Sequence, residues 1–188
     1  MRLFLAFTIS DYLKEKIYQQ IEFLSAKIRY GIKWVEQENL HITLRFLGDT
    51  KEEKIYQLKS ALNKVANNHR TTIVSLNKME VIPNVYRARL IWYSVKEHND
   101  YLPVLFSEME MELTKLGFKK SDHPLNLHIT LGRMKTRIKA NWQEILSQVE
   151  HLTDDININK IVLMKSTLTK SGPIYKELQS FPLMEKER

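Results

Sequence analysis

The sequence predicts an α+β fold made of two pseudo-symmetric halves, and two observations predict it. The string NLHITL stands at 39–44 and again at 126–131, an offset of 87 in a chain of 188 residues. Around each copy, strand-like and helix-like hydrophobic spacings follow one another in the same order. Gly and Pro number only five each, so no low-complexity linker marks a cut. The chain reads as one two-lobed domain, 1–188, with repeats at about 1–86 and 87–188.

Each element follows from its own pattern. Leu3, Leu5, Phe7 and Ile9 alternate with Phe4, Ala6 and Thr8, a strand apolar on both faces. Adding 87 lands on a second strand-like run, Leu90, Ile91, Trp92 and Tyr93. Leu13, Ile17, Ile21, Leu24 and Ile28 then recur at helical steps after a Ser10-Asp11 start. Leu102, Leu105, Met109, Leu113 and Leu116 do the same in the second half, with Gly117 as the stop. The motifs come next, as strands. After the first, Thr50-Lys51-Glu52-Glu53 has capping-box form, with Ile55, Leu58, Leu62 and Val65 on one helix face. After the second, residues 140–149 carry Trp142, Ile145, Leu146 and Val149. Strands are expected last, at about 71–81 and 156–168.

Composition narrows the function classes. Twenty-nine Lys and Arg face 22 Asp and Glu, a net charge of +7, which suits a polyanionic partner, nucleic acid first. A solvated basic surface explains the same number, and the cations form no long run. No uncharged apolar run approaches the roughly 20 residues of a membrane helix. Residues 3–9 are apolar but run into Asp11 and Lys14 without a small-residue cleavage site, so they read poorly as a signal peptide. The chain has no cysteine, which removes disulfides, thiolate zinc sites and cysteine nucleophiles. No membrane, a cytoplasmic location and a monomer are expected.

In a strand, alternate residues share a face. Ile42, Leu44 and Phe46 are therefore expected to face the core, and His41, Thr43 and Arg45 a groove. Ile129 and Leu131 likewise go inward, leaving His128, Thr130 and Gly132 outward. Each half offers one imidazole beside one hydroxyl. Imidazole passes protons near neutral pH, and threonine donates a hydrogen bond without charge. Two such pairs face to face form an acid–base clamp for in-line phosphodiester chemistry: one histidine takes a proton from the attacking group, the other protonates the leaving oxygen. Packing alone explains a single His-x-Thr, but a duplicate in register requires two accidents. Zinc is disfavoured, because catalytic zinc usually takes three protein ligands and only His123 lies near either motif. A threonine nucleophile is disfavoured because Thr43 and Thr130 stand two residues along the strand from their own histidines. No Gly-rich phosphate loop is present. His69, His98 and His151 are expected in solvent. Trp34, Tyr86 and Trp92 could stack bases in a non-catalytic RNA-binding module.

The paired motifs, with Arg2-Leu3-Phe4-Leu5-Ala6, Trp34-Val35, Phe46-Leu47-Gly48, Gly132-Arg133, Ser166-Thr167-Leu168 and the run Gly172-Pro173-Ile174-Tyr175, resemble the 2H phosphoesterase superfamily over nearly the whole chain. The branch is that of the RNA 2′,3′-cyclic phosphodiesterases, once named 2′-5′ RNA ligases. The resemblance implies two lobes, each an antiparallel sheet with helices packed outside, with the motifs lining a central cleft. It implies metal-independent, cofactor-free hydrolysis of RNA 2′,3′-cyclic phosphate ends to 2′-phosphomonoesters, His41 being proton donor and His128 proton acceptor. Thr43 and Thr130 would hold the phosphate, with Arg133 and Tyr175 also touching substrate. Cleavage or ligation of 2′-5′ linkages stands as the alternative. Regular alternation puts Arg133 on the face of Ile129 and Leu131, away from the cleft, unless a bulge or strand end after Gly132 re-aims it.

Overall fold

A computed structural model describes residues 1–170 and 172–185. Its elements, in chain order, are β1 (Arg2–Thr8), α1 (Asp11–Lys27), β2 (Ile32–Trp34), β3 (His41–Asp49), α2 (Ile55–Asn68), β4 (Thr72–Ile82), β5 (Leu90–Glu97), α3 (Tyr101–Lys115), β6 (His128–Met134), α4 (Trp142–Ser147), β7 (Asp155–Ile158), β8 (Lys160–Leu168) and β9 (Pro173–Pro182). The helices start and stop where local chemistry directs. Ser10 Oγ accepts from Leu13 N at 3.2 Å to cap α1. Gly117, at φ +79°, ends the turn after α3. The apolar stripes of α1, α2 and α3 are buried against the strands in one continuous core.

The strands form a sheet ordered β7-β4-β5-β6-β3-β1-β8-β9, with β2 added to β6. All of its pairings are antiparallel. The two motif strands, β3 and β6, stand at its centre and meet through one pair, Ile42 opposite Ile129. One late strand of each sequence half crosses to the other side: β4 pairs with β5, and β8 with β1. The expected single strand at 156–168 is in fact two. β7 ends at Ile158 on one sheet edge, and β8 begins at Lys160 next to the other edge. Two residues of chain span at most about 7 Å. The sheet therefore curls until its two ends come close.

Three further local expectations change. Thr50 caps no helix: α2 begins at Ile55, after a 3₁₀ turn at Glu52–Lys54. Thr50 is instead held to the start of the chain, its N–H donating to Met1 O at 2.8 Å and its carbonyl accepting from the Met1 amino group. The helix after the second motif is only Trp142–Ser147. His69 is 4% exposed because its ring packs on α3, its Nε2 2.8 Å from Glu108 Oε2 and its centroid 5.6 Å from the Tyr101 ring.

Three β-bulges shape the motif strands, one of them at Leu47, where the pairing jumps from Leu3–Gly48 to Phe4–Phe46. Between β1 and β3 the pairing jumps from Leu5–Arg45 to Ala6–Thr43, leaving Leu44 as the extra residue. Between β5 and β6 it jumps from Ile91–Gly132 to Trp92–Thr130, leaving Leu131 extra. Leu44 and Leu131 are equivalent in the repeat. A bulge shifts the alternation beyond it by one residue. Gly132, buried there, lets β2 lie close: a Cβ would sit 2.9 Å from Ile32 Cγ2 and from Trp34 Cε3. We expect Gly132→Ala to cost about 1–3 kcal/mol by overpacking, read as a lower midpoint in urea denaturation; an unchanged midpoint would show that β2 yields freely.

Candidate active site

The register places four side chains in a square. Ile42 faces Ile129, so His41 lies across from Thr130, and Thr43 across from His128. Ile42 and Ile129 are fully buried, so the four polar residues point to the opposite face. In a regular antiparallel ladder, direct neighbours stand about 4.5–5.5 Å apart and diagonal ones about 7–8 Å. The two imidazoles occupy one diagonal and the two hydroxyls the other, as a twofold axis between the isoleucines requires.

Both rings are oriented alike. His41 Nδ1 donates to the Asn39 carbonyl at 2.6 Å, and His128 Nδ1 to the Asn126 carbonyl at 2.8 Å. A carbonyl only accepts, so each Nδ1 carries the proton and Nε2 is the titrating nitrogen. Each ring also rests on an aromatic surface. Phe4 lies 5.1 Å from His41, and Tyr175 meets it edge-on at 5.3 Å. Trp92 lies 4.2 Å from His128. The motif asparagines thus act through their backbone oxygens, and Phe4 through its ring; the repeat itself carried the signal for both asparagines.

Thr43 corrects an expectation. Its hydroxyl lies 2.9 Å from His41 Nε2. Two residues along a strand separate the Cα atoms, but the side chains lean together and close the gap.

The bulges correct three more. Arg45 turns toward α3, where it pairs with buried Glu110. Phe46 turns out of the core, is 61% exposed, and lines the cleft. Arg133, five residues past His128 as Phe46 is past His41, also lines the cleft. The bulge that re-aims it precedes Gly132 instead of following it.

Two cavities flank the square. One, of about 370 Å³, is lined by Trp34, His41, Phe46, Thr130, Arg133 and Tyr175 among others. The second, of about 490 Å³, lies on the His128 side against Phe106, Phe118, Lys120 and His123. Thr43 and Phe46 belong to both, so His41 and His128 open on different cavities separated by those two side chains. Of the proposed base-stacking residues, Trp34 lines the first cavity, Trp92 supports a ring, and Tyr86 lies outside both cavities.

Burial lowers both histidine pKa values below the ordinary 6.5, and the Arg133 charge lowers both further. His41 also feels His128 and Lys14, while its bond to Asn39 pulls the other way. Burial raises the Tyr175 hydroxyl, so it stays a neutral donor. Arg133 and Lys33 supply positive charge to the cavity that His41 lines, while both imidazoles are held toward their neutral form. Among the described residues, no three His, Asp or Glu side chains converge as metal ligands. No described helix is long and apolar enough to cross a membrane.

The chain also matches known proteins. The family model described as LigT like Phosphoesterase matches residues 11–92 and again 94–175, once in each half. A protein of Methanocaldococcus jannaschii is 37% identical over 185 residues, covering 96% of this chain and all of its own. One of Archaeoglobus fulgidus is 34% identical over 181 residues, 96% of this chain and 99% of its own. Both are named RNA 2′,3′-cyclic phosphodiesterase. A solved Thermus thermophilus structure superposes over the full length of both chains with a TM-score of 0.82 at 22% identity, a likeness of fold.

Because the Arg133 charge adds to burial in depressing both imidazoles, Arg133→Met is expected to raise both pKa values toward 6.5 in an NMR titration. Two unchanged histidines would place the guanidinium elsewhere.

Proposed function

Because this chain belongs to the LigT-like phosphoesterase family, and is a hydrolase, we propose that it opens 2′,3′-cyclic phosphate ends of RNA to 2′-phosphomonoesters without a metal ion. The observation that carries the reading is the square of two His-Thr pairs, with both Nε2 atoms left to titrate. Relatives of 34% and 37% identity bear the corresponding name.

In this reading His128 Nε2 takes a proton from water as its oxygen attacks phosphorus. The P–O3′ bond breaks on the opposite side, and His41 Nε2–H delivers its proton to O3′. The bond to phosphorus through O2′ remains, giving the 2′-phosphate. Solvent then takes the proton from His128 and returns one to His41. Thr43, released from His41 when O3′ takes its place, donates with Thr130 to the non-bridging oxygens. Arg133 balances the charge building there. Tyr175 keeps its proton and holds the His41 ring edge-on. A second reading, cleavage or joining of 2′-5′ linkages, is favoured by the cavity beside His128: a nucleoside there would offer its 5′-hydroxyl in place of water.

Three measurements test this. An oligonucleotide ending in a cyclic phosphate should yield the 2′-phosphomonoester at an undiminished rate in EDTA; full loss in EDTA would overturn the metal-free mechanism. His41→Ala and His128→Ala should each lose about 10²–10⁴-fold in rate. Activity retained in both would remove the roles, and salt-dependent RNA binding without turnover would mean a binding module. Faster turnover of 2′-5′ dinucleotides than of cyclic ends would establish the second reading.

The pH profile has a definite sign. Catalysis from the free enzyme needs His41 protonated and His128 neutral, and both groups titrate below 6.5. The bell in kcat/KM should therefore peak below pH 6.5 and fall about tenfold per unit on its alkaline side. The bound phosphate anion favours imidazolium, so the kcat profile should lie at higher pH. A kcat/KM maximum above pH 7 would contradict the assignment.

A further inference from the structure

The chain spreads its cations along the sequence, but the fold gathers one group of them. Three segments meet at the Arg133 end of β6. Arg133 pairs with Lys33 on β2 and with Leu90 on β5. Beyond it, Met134 N donates to Arg89 O at 2.9 Å, and Lys135 N to Gly31 O at 2.7 Å. These bonds bring the β4–β5 turn, residues 83–89, against the loop 135–139 and the turn before β2.

The assembled surface is basic; its carboxylates, Glu36 and Glu38, lie on the β2 side, where Glu36 pairs with Lys33. Arg87, Arg89, Lys135, Arg137 and Lys139 are all exposed. None of the five forms an ion pair among the described residues. No Asp or Glu occurs in residues 81–96 or 127–143. Elsewhere the protein does neutralise its cations: Lys16, Lys64 and Lys119 each sit within 2.9 Å of a carboxylate oxygen. Two aromatic rings border the same surface, Tyr86 at 83% exposure and Tyr30 at 84%. Asn84 Oδ1 accepts from Tyr86 N and Arg87 N, giving the turn a fixed form.

We propose that this surface is the track for the single-stranded RNA that leads to the reacting end. The proposal rests on the function above and extends it from a terminal nucleotide to a chain of several. A strand whose end lies in the cleft must leave along the surface, and the basic track begins at Arg133, inside the cleft, and continues outward. Its unpaired cations suit successive phosphates, and its free rings offer faces to unpaired bases. Neither demands a particular sequence, so the track confers preference for strand length and single-strandedness. Duplex RNA presents no open base faces to Tyr30 and Tyr86.

The test compares a 2′,3′-cyclic mononucleotide with single-stranded oligoribonucleotides of increasing length ending in the same cyclic nucleotide, at about 50 and about 200 mM salt. Four phosphate contacts give a log–log salt slope of about −2.8, so the long substrate's advantage in kcat/KM should shrink by up to about 50-fold across that range. The double variant Arg87→Glu with Lys139→Glu, both on exposed turns, should lose at least about tenfold of the advantage and flatten the slope by about 1.4. Its rate on the mononucleotide should stay within about twofold. Tyr86→Ala should lose at least about fivefold on the long substrate alone. A wild-type enzyme blind to length, a double variant that keeps the full length and salt dependence, or an equal gain from duplex RNA would each overturn the track. Failure to turn over even the mononucleotide would instead overturn the function on which it rests.

Discussion

One backbone pairing organises this protein: Ile42 against Ile129, the join between β3 and β6. Both side chains are buried, so a slip of one residue would drive His41 or Thr43 into the core and an isoleucine into water. That penalty holds the register, and the register alone makes a square of two histidines and two threonines. The rest supports this join. The helices cover the isoleucine face, and the first strand of each half flanks a motif strand. The crossing of β4 and β8 ties each half to the other.

The bulges then decide what surrounds the square. With unbroken alternation, Arg133 would be buried and Phe46 would fill the core. The extra residues Leu44 and Leu131 reverse this, and Leu44 sends Arg45 to Glu110. The equivalence of Leu44 and Leu131 shows that the repeat preserves backbone irregularity as well as regular structure. What the two halves place there differs, a phenyl ring on one side and a guanidinium on the other. The cleft is thus symmetric in its proton-carrying groups and asymmetric in its surroundings, with His41 caged by Phe4 and Tyr175 and His128 resting on Trp92.

Electrostatics follow from the same placement. Two imidazoles in a half-buried cleft repel each other's protons, and Arg133 adds to that repulsion. The free site favours neutral rings and a net positive charge, a state that accepts an anion and becomes easier to protonate once the anion is bound. Burial first, and the Arg133 charge after it, therefore keep both rings toward their neutral form in the free site.

Much of this was legible in the residues. The duplicated NLHITL, the helical stripes of α1 and α3, the Ser10 cap and the Gly117 stop depend on neighbours within a few positions, where period and rotamer rules apply. Other features depend on partners far along the chain and left no local mark. They include the bulges at Leu44, Leu47 and Leu131, the burial of His69 beside Glu108 and Tyr101, the division of 156–168 into two strands, and β2 and β9, which the spacing did not reveal. The basic track belongs here too, since its cations come from segments about 50 residues apart. The sequence by itself determined which chemical groups this protein carries and that they come in two matched sets, because composition and periodicity are properties of the chain. Only the tertiary structure decided which of them share a space, because a backbone hydrogen bond between distant strands sets how side chains alternate, and alternation sets whether each meets solvent or core.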